Sequence, residues 1–138
     1  MKARILALGV VCAAVVAMAG EADHSWLQRV PPADRVRANP YTGQGDAIDA
    51  GAKLYAQHCS RCHGMEMLGN GSKPGLRTLT IQHASDGELF WILKNGDLRH
   101  GMPSWSSLPE AYRWQMVAFL RSQQEPVQTD ENQSGEKQ

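Results

Sequence analysis

The stretch CSRCHG, residues 59–64, decides the fold, because it places Cys59 and Cys62 three positions apart and His63 directly after them. Paired cysteines at this spacing serve several chemistries. A zinc site usually takes four ligands, often from two such pairs, and no second pair occurs in this chain. A thioredoxin-like redox pair belongs to a βαβ pattern, whereas the surrounding sequence is helical in character, and a disulfide between these two cysteines would close a small, strained loop. These three alternatives are disfavoured but remain open.

Covalent haem attachment is the chemistry that the full C-x-x-C-H pattern favours. The two thiols would bond to the porphyrin, and the adjacent histidine would then lie under the iron as its proximal ligand. A haem would also organise a chain whose short helices are joined by long loops, which is otherwise unusual in a compact domain. The sequence therefore predicts one haem c, attached through Cys59 and Cys62 and ligated by His63.

The ligand on the other face of the iron decides what such a haem can do. In the stretch HGMPSW, residues 100–105, Met102 is followed by the stiffening Pro103 and lies far enough beyond His63 to pass round the haem edge. His100 is its main rival. The remaining candidates are less well placed and are Met65, Met67, His58 and His83. Histidine and methionine ligation leaves no position for a substrate and raises the reduction potential, so this pattern predicts an electron carrier and not an enzyme.

The two ends of the chain have compositions of their own. Lys2 and Arg4 precede an apolar run, and small residues follow it, which predicts a signal peptide over residues 1–19 and a periplasmic protein. A retained membrane anchor is the alternative, although the run is shorter than a typical span. We expect residues 20–45 to form an extended arm over the body of the domain. Residues 123–138 are polar and acidic and predict a disordered tail.

The part between these ends contains three helical patterns and no convincing strand. Residues 46–59 show helical spacing with Asp46 as a cap, residues 85–96 carry Ser85 and Glu88 as a capping box, and a last helix begins near Pro109 and ends near residue 122. Residues 64–80 and 97–108 are expected to be loops, because glycine and proline interrupt them. One all-α domain is the prediction.

Residues 46–122 resemble the class I c-type cytochromes, on the strength of C-x-x-C-H-G, the downstream G-M-P and the flanking helices. The resemblance implies three to four short helices wrapped around one haem, with Gly51 and Tyr55 facing Phe119 where the first and last helices cross. It also implies that the carbonyl of Pro74 accepts a hydrogen bond from His63. The side chains expected to wall the haem are Leu76, Leu79, Trp91, Leu98 and Trp105.

A narrower resemblance concerns the redox partner. The stretches RANPYTGQGDAIDAGAKLY, SDGELFWILKNG and GMPSW are similar to those of periplasmic cytochromes that accept electrons from quinoprotein, PQQ-containing alcohol dehydrogenases. This implies such a donor and an oxidase or membrane cytochrome as acceptor. A contact surface around the haem edge could use five basic residues: Lys73, Arg77, Lys94, Arg99 and Arg113.

Composition narrows the remaining possibilities. The chain has 14 basic and 14 acidic residues, so it lacks the basic excess that nucleic-acid binding requires. After loss of the signal peptide no membrane span is expected, and a monomer is the expected form. A peroxidase-like haem enzyme and a gas-binding haem module, both with an open iron position, are the alternative functions.

Overall fold

A computed structural model describes residues 25–124; the predicted signal peptide and the tail from residue 125 onward lie outside the described residues. Within that range the chain is helical, and its only β-type pairings are two isolated bridges, Asn70 with Lys73 and Asp97 with Met102. The α-helices are α1 (Pro32–Arg35), α2 (Gly45–His58), α3 (Ser60–His63), α4 (Leu79–His83), α5 (Asp86–Asn95) and α6 (Glu110–Ser122), with 3₁₀-helices at Ser25–Arg29 and Leu98–His100. No helix among these residues is long and apolar enough to cross a membrane.

The two longest helices, α2 and α6, cross at a glycine. A Cβ atom on Gly51 would lie 2.1 Å from the carbonyl oxygen of Gln115 and 2.8 Å from the Cβ of Phe119, so only glycine permits this approach. Tyr55, one turn further along α2, has its ring centroid 5.5 Å from that of Phe119. The predicted crossing is confirmed, and the close approach explains why α2 carries a glycine that costs about 1 kcal/mol in helix propensity.

Helix α5 is punctuated as the sequence predicts. The backbone N–H of Ser85 donates to Glu88 Oε2 at 2.7 Å, and the N–H of Glu88 donates to Ser85 Oγ at 3.1 Å, which is the reciprocal capping box. Gly96 follows the last helical residue with a positive φ of 70°. The helix buries four apolar side chains, Leu89, Phe90, Ile92 and Leu93. Since Phe90 stacks on Trp114 with ring centroids 4.0 Å apart, this core joins α5 to α6.

The arm before α2 is not extended, which corrects the sequence-based expectation for its described part. Residues 25–35 form the first 3₁₀-helix and α1, because Pro32 at the first helical position already has the φ that a helix needs. Trp26 and Val30 are 7% and 2% exposed and belong to the core. Asn39 is also buried, and its Nδ2 donates to the carbonyl of Trp114 at 2.9 Å. The arm is therefore packed against the domain as an integral part of it.

Three details of the helices also differ from expectation. Helix α2 begins at Gly45, so Asp46 lies in its first turn and does not cap it. Helices α3 and α4 were not anticipated: each is a single turn inside or beside a segment expected to be a loop. In α4 the hydroxyl of Thr78 accepts from the N–H of Ile81 at 3.4 Å, so a local cap starts a helix too short to show a periodic pattern.

Candidate haem site

The cysteine motif lies on a tight helical turn at the end of α2. Cys59 separates α2 from α3, and its carbonyl accepts from the N–H groups of Cys62 and His63 at 3.1 and 3.0 Å. Cys59 is partly buried and Cys62 is exposed, and both thiols are free. This turn presents both thiols and the histidine from one short segment.

The two cysteines give no support to a redox pair, a zinc site or a disulfide. Burial, followed by the charge of Cys62, raises the pKa of the Cys59 thiol to about 11, whereas the reactive cysteine of a redox pair has a lowered pKa. Within residues 25–124 no group of three or more histidine, cysteine and acidic side chains could hold a metal ion. No disulfide joins the two cysteines.

His63 is oriented by the loop that follows it. Its Nδ1 lies 2.8 Å from the carbonyl oxygen of Pro74. Because a carbonyl oxygen only accepts, Nδ1 carries a proton in this contact, so in the neutral imidazole Nε2 is the nitrogen whose lone pair is available for a metal. The loop is closed by the N–H of Gly69, which donates to the carbonyl of His63 at 2.9 Å. A Cβ on Gly69 would lie 2.5 Å from the carbonyl oxygen of Lys73, so a glycine is required there.

Tyr55 of α2 holds the first residue of the loop that follows His63. Its hydroxyl donates to the carbonyl of Gly64 at 2.6 Å. Burial, followed by the charge of Cys59, raises the pKa of Tyr55 to about 12, so the hydroxyl keeps its proton at neutral pH. The crossing of α2 with α6 and the orientation of the loop after His63 are thus linked through one side chain.

Met102 is held by backbone pairing. The N–H of Asp97 donates to the carbonyl of Met102 at 2.9 Å, and the N–H of Met102 donates back at 3.0 Å. Gly96 permits this turn: a Cβ there would lie 2.6 Å from the carbonyl carbon of Pro103. The N–H of Trp105 then donates to the carbonyl of Leu93 at 2.9 Å. The Met102 loop is therefore fastened to the end of α5, and the side chain of Met102 is partly buried against the main core.

His100, the rival ligand, is engaged by a buried carboxylate. Its Nδ1 lies 2.8 Å from Asp97 Oδ2, and Arg29 Nη2 lies 2.9 Å from Asp97 Oδ1. Asp97 is 7% exposed. Burial alone would raise its pKa, but the contacts with His100 and Arg29 outweigh burial and lower the pKa of Asp97. Neither Asp97 nor Arg29 was singled out in the sequence, where a lone Asp after a helix carries no signal of its burial.

The other candidate ligands lie in less suitable places. Met67 is 2% exposed and belongs to a small core cluster with Tyr55 and Leu120. Met65 is 66% exposed, and His83 is also exposed. The ring of His58 contacts that of Trp105, with centroids 5.0 Å apart. Met67 therefore serves as packing.

The five residues expected to wall a haem are either partly buried or exposed, and none is fully buried. Cys59 packs against both core clusters found among residues 25–124. Leu76 is partly buried on one cluster, and Trp91 and Trp105 are partly buried on the other. Leu79 and Leu98 are 67% and 76% exposed, so the described protein residues leave both side chains uncovered. The donor set, a free imidazole nitrogen, two free thiols and a thioether, is that of haem c.

Arg113 does not belong to a basic surface ring, which corrects that part of the expectation. It is only 5% exposed. Its Nη1 donates to the carbonyls of Trp105 and Ser106, each at 3.2 Å, and to that of Leu108. Its guanidinium lies 5.1 Å from the ring centroid of Phe90. Arg113 holds the end of the Met102 loop because α6 begins just after that loop and directs the side chain back at its carbonyls.

Comparison with known proteins adds a family match. The family described as cytochrome C oxidase, cbb3-type, subunit III matches residues 46–120. Cytochrome c550 of Pseudomonas aeruginosa is 32% identical over 92 residues, which cover 67% of this chain and 63% of that protein. The quinohemoprotein alcohol dehydrogenase ADH-IIG of Pseudomonas putida is 42% identical over 60 residues, which cover 44% of this chain and 8% of that enzyme.

Two solved structures of cytochrome cL are also similar. That from Methylophaga aminisulfidivorans has a TM-score of 0.53 at 29% identity and covers 60% of this chain and 57% of its own. That from Hyphomicrobium denitrificans has a TM-score of 0.51 at 21% identity and covers 69% of this chain and 64% of its own. At this identity the similarity supports the fold alone. This chain thus spans less than two thirds of each of these four proteins.

Proposed function

This chain belongs to the cytochrome c family, and on that premise we propose that it is a one-electron carrier with a single haem c. The observation that carries the proposal is the 2.8 Å hydrogen bond from His63 Nδ1 to the carbonyl of Pro74. In the neutral imidazole it leaves Nε2, on the histidine of a C-x-x-C-H turn, as the nitrogen that can ligate a metal.

Each site residue has a defined task in this proposal. Cys59 and Cys62 bond covalently to the haem, and His63 Nε2 ligates the iron. Pro74 keeps His63 in one tautomer and makes Nε2 a stronger donor. Met102 is the second ligand, so no position remains for oxygen or substrate. When bound, haem c supplies an Fe(III)/Fe(II) couple that gains and loses one electron.

Two further residue sets shape the site around these ligands. Leu76, Trp91 and Trp105 would exclude water from the haem, together with Leu79 and Leu98, and a less polar surrounding favours the form of lower charge. Arg77, Lys94 and Arg99 are exposed near the two loops, and Lys73 is partly exposed there. These four, without Arg113, would surround the contact surface of a weak redox complex, whose interfaces are small.

The donor we propose is a quinoprotein alcohol dehydrogenase. A 60-residue match to a quinohemoprotein alcohol dehydrogenase supports it, as does the likeness to cytochrome cL from a methylotrophic bacterium. The acceptor would be an oxidase or a membrane cytochrome. Residues 1–19 would direct export to the periplasm, where such a donor and this chain could meet as separate proteins.

The test is to mix the oxidised protein with the purified quinoprotein alcohol dehydrogenase of the same organism and an alcohol, following the visible bands of the reduced haem. Reduction that needs both enzyme and alcohol is the expected result. Reduction by ascorbate but not by the enzyme would refute this donor and keep the carrier. A high-spin spectrum that shifts on adding peroxide or a gas would refute the carrier itself.

A further inference from the structure

The N-terminal arm reaches the Met102 loop through one ion pair. Arg29 ends the 3₁₀-helix Ser25–Arg29, and its Nη2 lies 2.9 Å from Asp97 Oδ1. Trp26 lies within this segment and Val30 directly follows it, and both are buried in the core, at 7% and 2% exposed. The core therefore fixes the backbone that carries the arginine, whose side chain is 40% exposed.

Asp97 joins that ion pair directly to Met102. Arg29 Nη2 lies 2.9 Å from the buried Oδ1 of Asp97 as an ion-pair contact without hydrogen-bond alignment, and His100 Nδ1 lies 2.8 Å from Oδ2 in a hydrogen bond. The backbone N–H and carbonyl of Asp97 form the two hydrogen bonds that hold the backbone of Met102. A shift of the Asp97 backbone toward solvent would break this pairing.

A second contact ties the same loop to the segment after His63. Lys73 Nζ donates to the carbonyl of His100 at 2.9 Å. Lys73 is partly exposed and Asp97 is buried, so we expect loss of the Asp97 ion pair to cost more than loss of the lysine contact. Removing the partner of a buried charge is costly, because the remaining charge must stay desolvated or move toward water.

We infer that the pair of Arg29 and Asp97 is a positioning device by which the N-terminal arm holds the methionine loop closed on the iron. This inference rests on the proposed function, since it takes Met102 to be a ligand. Arg29 acts through Asp97 and is a positioning residue, and its guanidinium also lies 5.9 Å from the ring centroid of Trp91. Without Arg29, Asp97 keeps one partner, His100, which lies in the same loop and so cannot anchor that loop to the core.

A purely structural ion pair would behave differently. It would lower the free energy of unfolding without making the Met102 loop open more often than the rest of the fold. The arm offers a matched control for this case. Arg37 pairs with Glu110 at 2.6 Å and lies over the rings of Phe90 and Trp114, so it ties the arm to α6, away from Met102.

The experiment compares Arg29→Gln with Arg37→Gln in the intact haem protein, by two measurements. The first is the rate at which cyanide binds the ferric protein, because cyanide must displace the methionine. The second is the hydrogen-exchange rate of the amides of Asp97 and Met102. Arg29→Gln should raise both about three- to tenfold, where tenfold corresponds to about 1.4 kcal/mol of loop opening. Arg37→Gln should leave both rates unchanged while lowering stability. Arg29→Lys keeps the positive charge, so both of its rates should stay close to those of the parent protein.

The outcomes separate the inference from the proposed function. Unchanged cyanide binding and exchange in Arg29→Gln would overturn the inference. Equal increases in both variants would also overturn it, because the effect would then be a general loss of stability. If Met102→Ala binds cyanide no faster than the parent, Met102 is not the ligand, and the proposed function fails in that respect whatever Arg29 does.

Discussion

Gly51 and Phe119 face each other where α2 crosses α6, and a Cβ on the glycine would lie 2.8 Å from the Cβ of Phe119. The nearest atom to that Cβ is backbone, the carbonyl oxygen of Gln115 at 2.1 Å. The crossing sets the direction in which α2 delivers Cys59 at its end. The packing of two helices thus determines where the cysteine motif lies relative to the core.

Gly51→Ala should therefore destabilise the fold although alanine is the better helix former. Backbone must move to admit the methyl group, and overpacking of this kind typically costs about 1–3 kcal/mol. Gly45→Ala is the control, because nothing lies within 4 Å of a Cβ there. Chemical denaturation should show a clear loss for Gly51→Ala and a neutral or slightly positive change for Gly45→Ala; equal stabilities would contradict the crossing.

Tyr55→Phe should weaken the link between α2 and the loop after His63. It removes the 2.6 Å hydrogen bond to the carbonyl of Gly64 but keeps the ring against Phe119. The expected loss in free energy of unfolding is about 1 kcal/mol, because the partly buried carbonyl of Gly64 loses its donor. Tyr112 is 44% exposed, so Tyr112→Phe should change stability by less than about 0.5 kcal/mol.

Glu110 should add stability that disappears in acid. Hydrogen bonds from Arg37 and then from Trp114 lower the pKa of Glu110 below its ordinary value of 4.5. A carboxylate with a lowered pKa stabilises the fold above its ordinary pKa, and the contribution is lost as the pH falls through the folded-state value. Glu110→Gln should thus be less stable than the parent at pH 7, by less than about 1 kcal/mol because the pair is largely exposed.

The pH dependence of that difference is the decisive part. It should shrink as the pH falls below 4.5 and should not depend on pH above about 6. Denaturation curves at several pH values measure it. In an Arg37→Gln background the effect of Glu110→Gln should be much smaller, and full additivity of the two changes would contradict the pairing.

The sequence was sufficient for the features that depend on local patterns. The capping box of Ser85 and Glu88 and the end of that helix at Gly96 follow from local patterns and are present. The crossing at Gly51 is also present, although it came from the family resemblance. The all-α class I cytochrome c fold is confirmed by the cytochrome cL structures. The hydrogen bond between His63 and Pro74 is also present, although it came from the family resemblance and not from spacing.

What escaped prediction depends on contacts between distant segments. The arm was expected to be extended because its sequence has no period, yet Trp26 and Val30 are buried by α5 and α6 residues far along the chain. Arg113 and Asp97 look like ordinary surface charges in the sequence, yet both are buried. Backbone carbonyls accept from Arg113, and Arg29 and His100 pair with Asp97, and these contacts offset the cost of removing the two charges from water. The ligand roles of Met102 and His63 remain predictions.

Met102→Ala should lower the reduction potential and open the iron to external ligands, because a thioether ligand favours the reduced state. Redox titration and cyanide binding measure the two effects. Met65→Ala is the matched control, since Met65 is 66% exposed and close to the motif in sequence. Equal behaviour of the two variants, or a larger change in His100→Ala, would contradict ligation by Met102.

The central claim is that Cys59 and Cys62 hold one haem covalently. The most direct measurement is the intact mass of the purified protein under denaturing conditions, alongside the double variant Cys59→Ser and Cys62→Ser. The account predicts that the protein carries the added mass of one haem after denaturation and that the double variant does not. A denatured protein with the mass of the polypeptide alone, produced where haem c attachment is active, would contradict it.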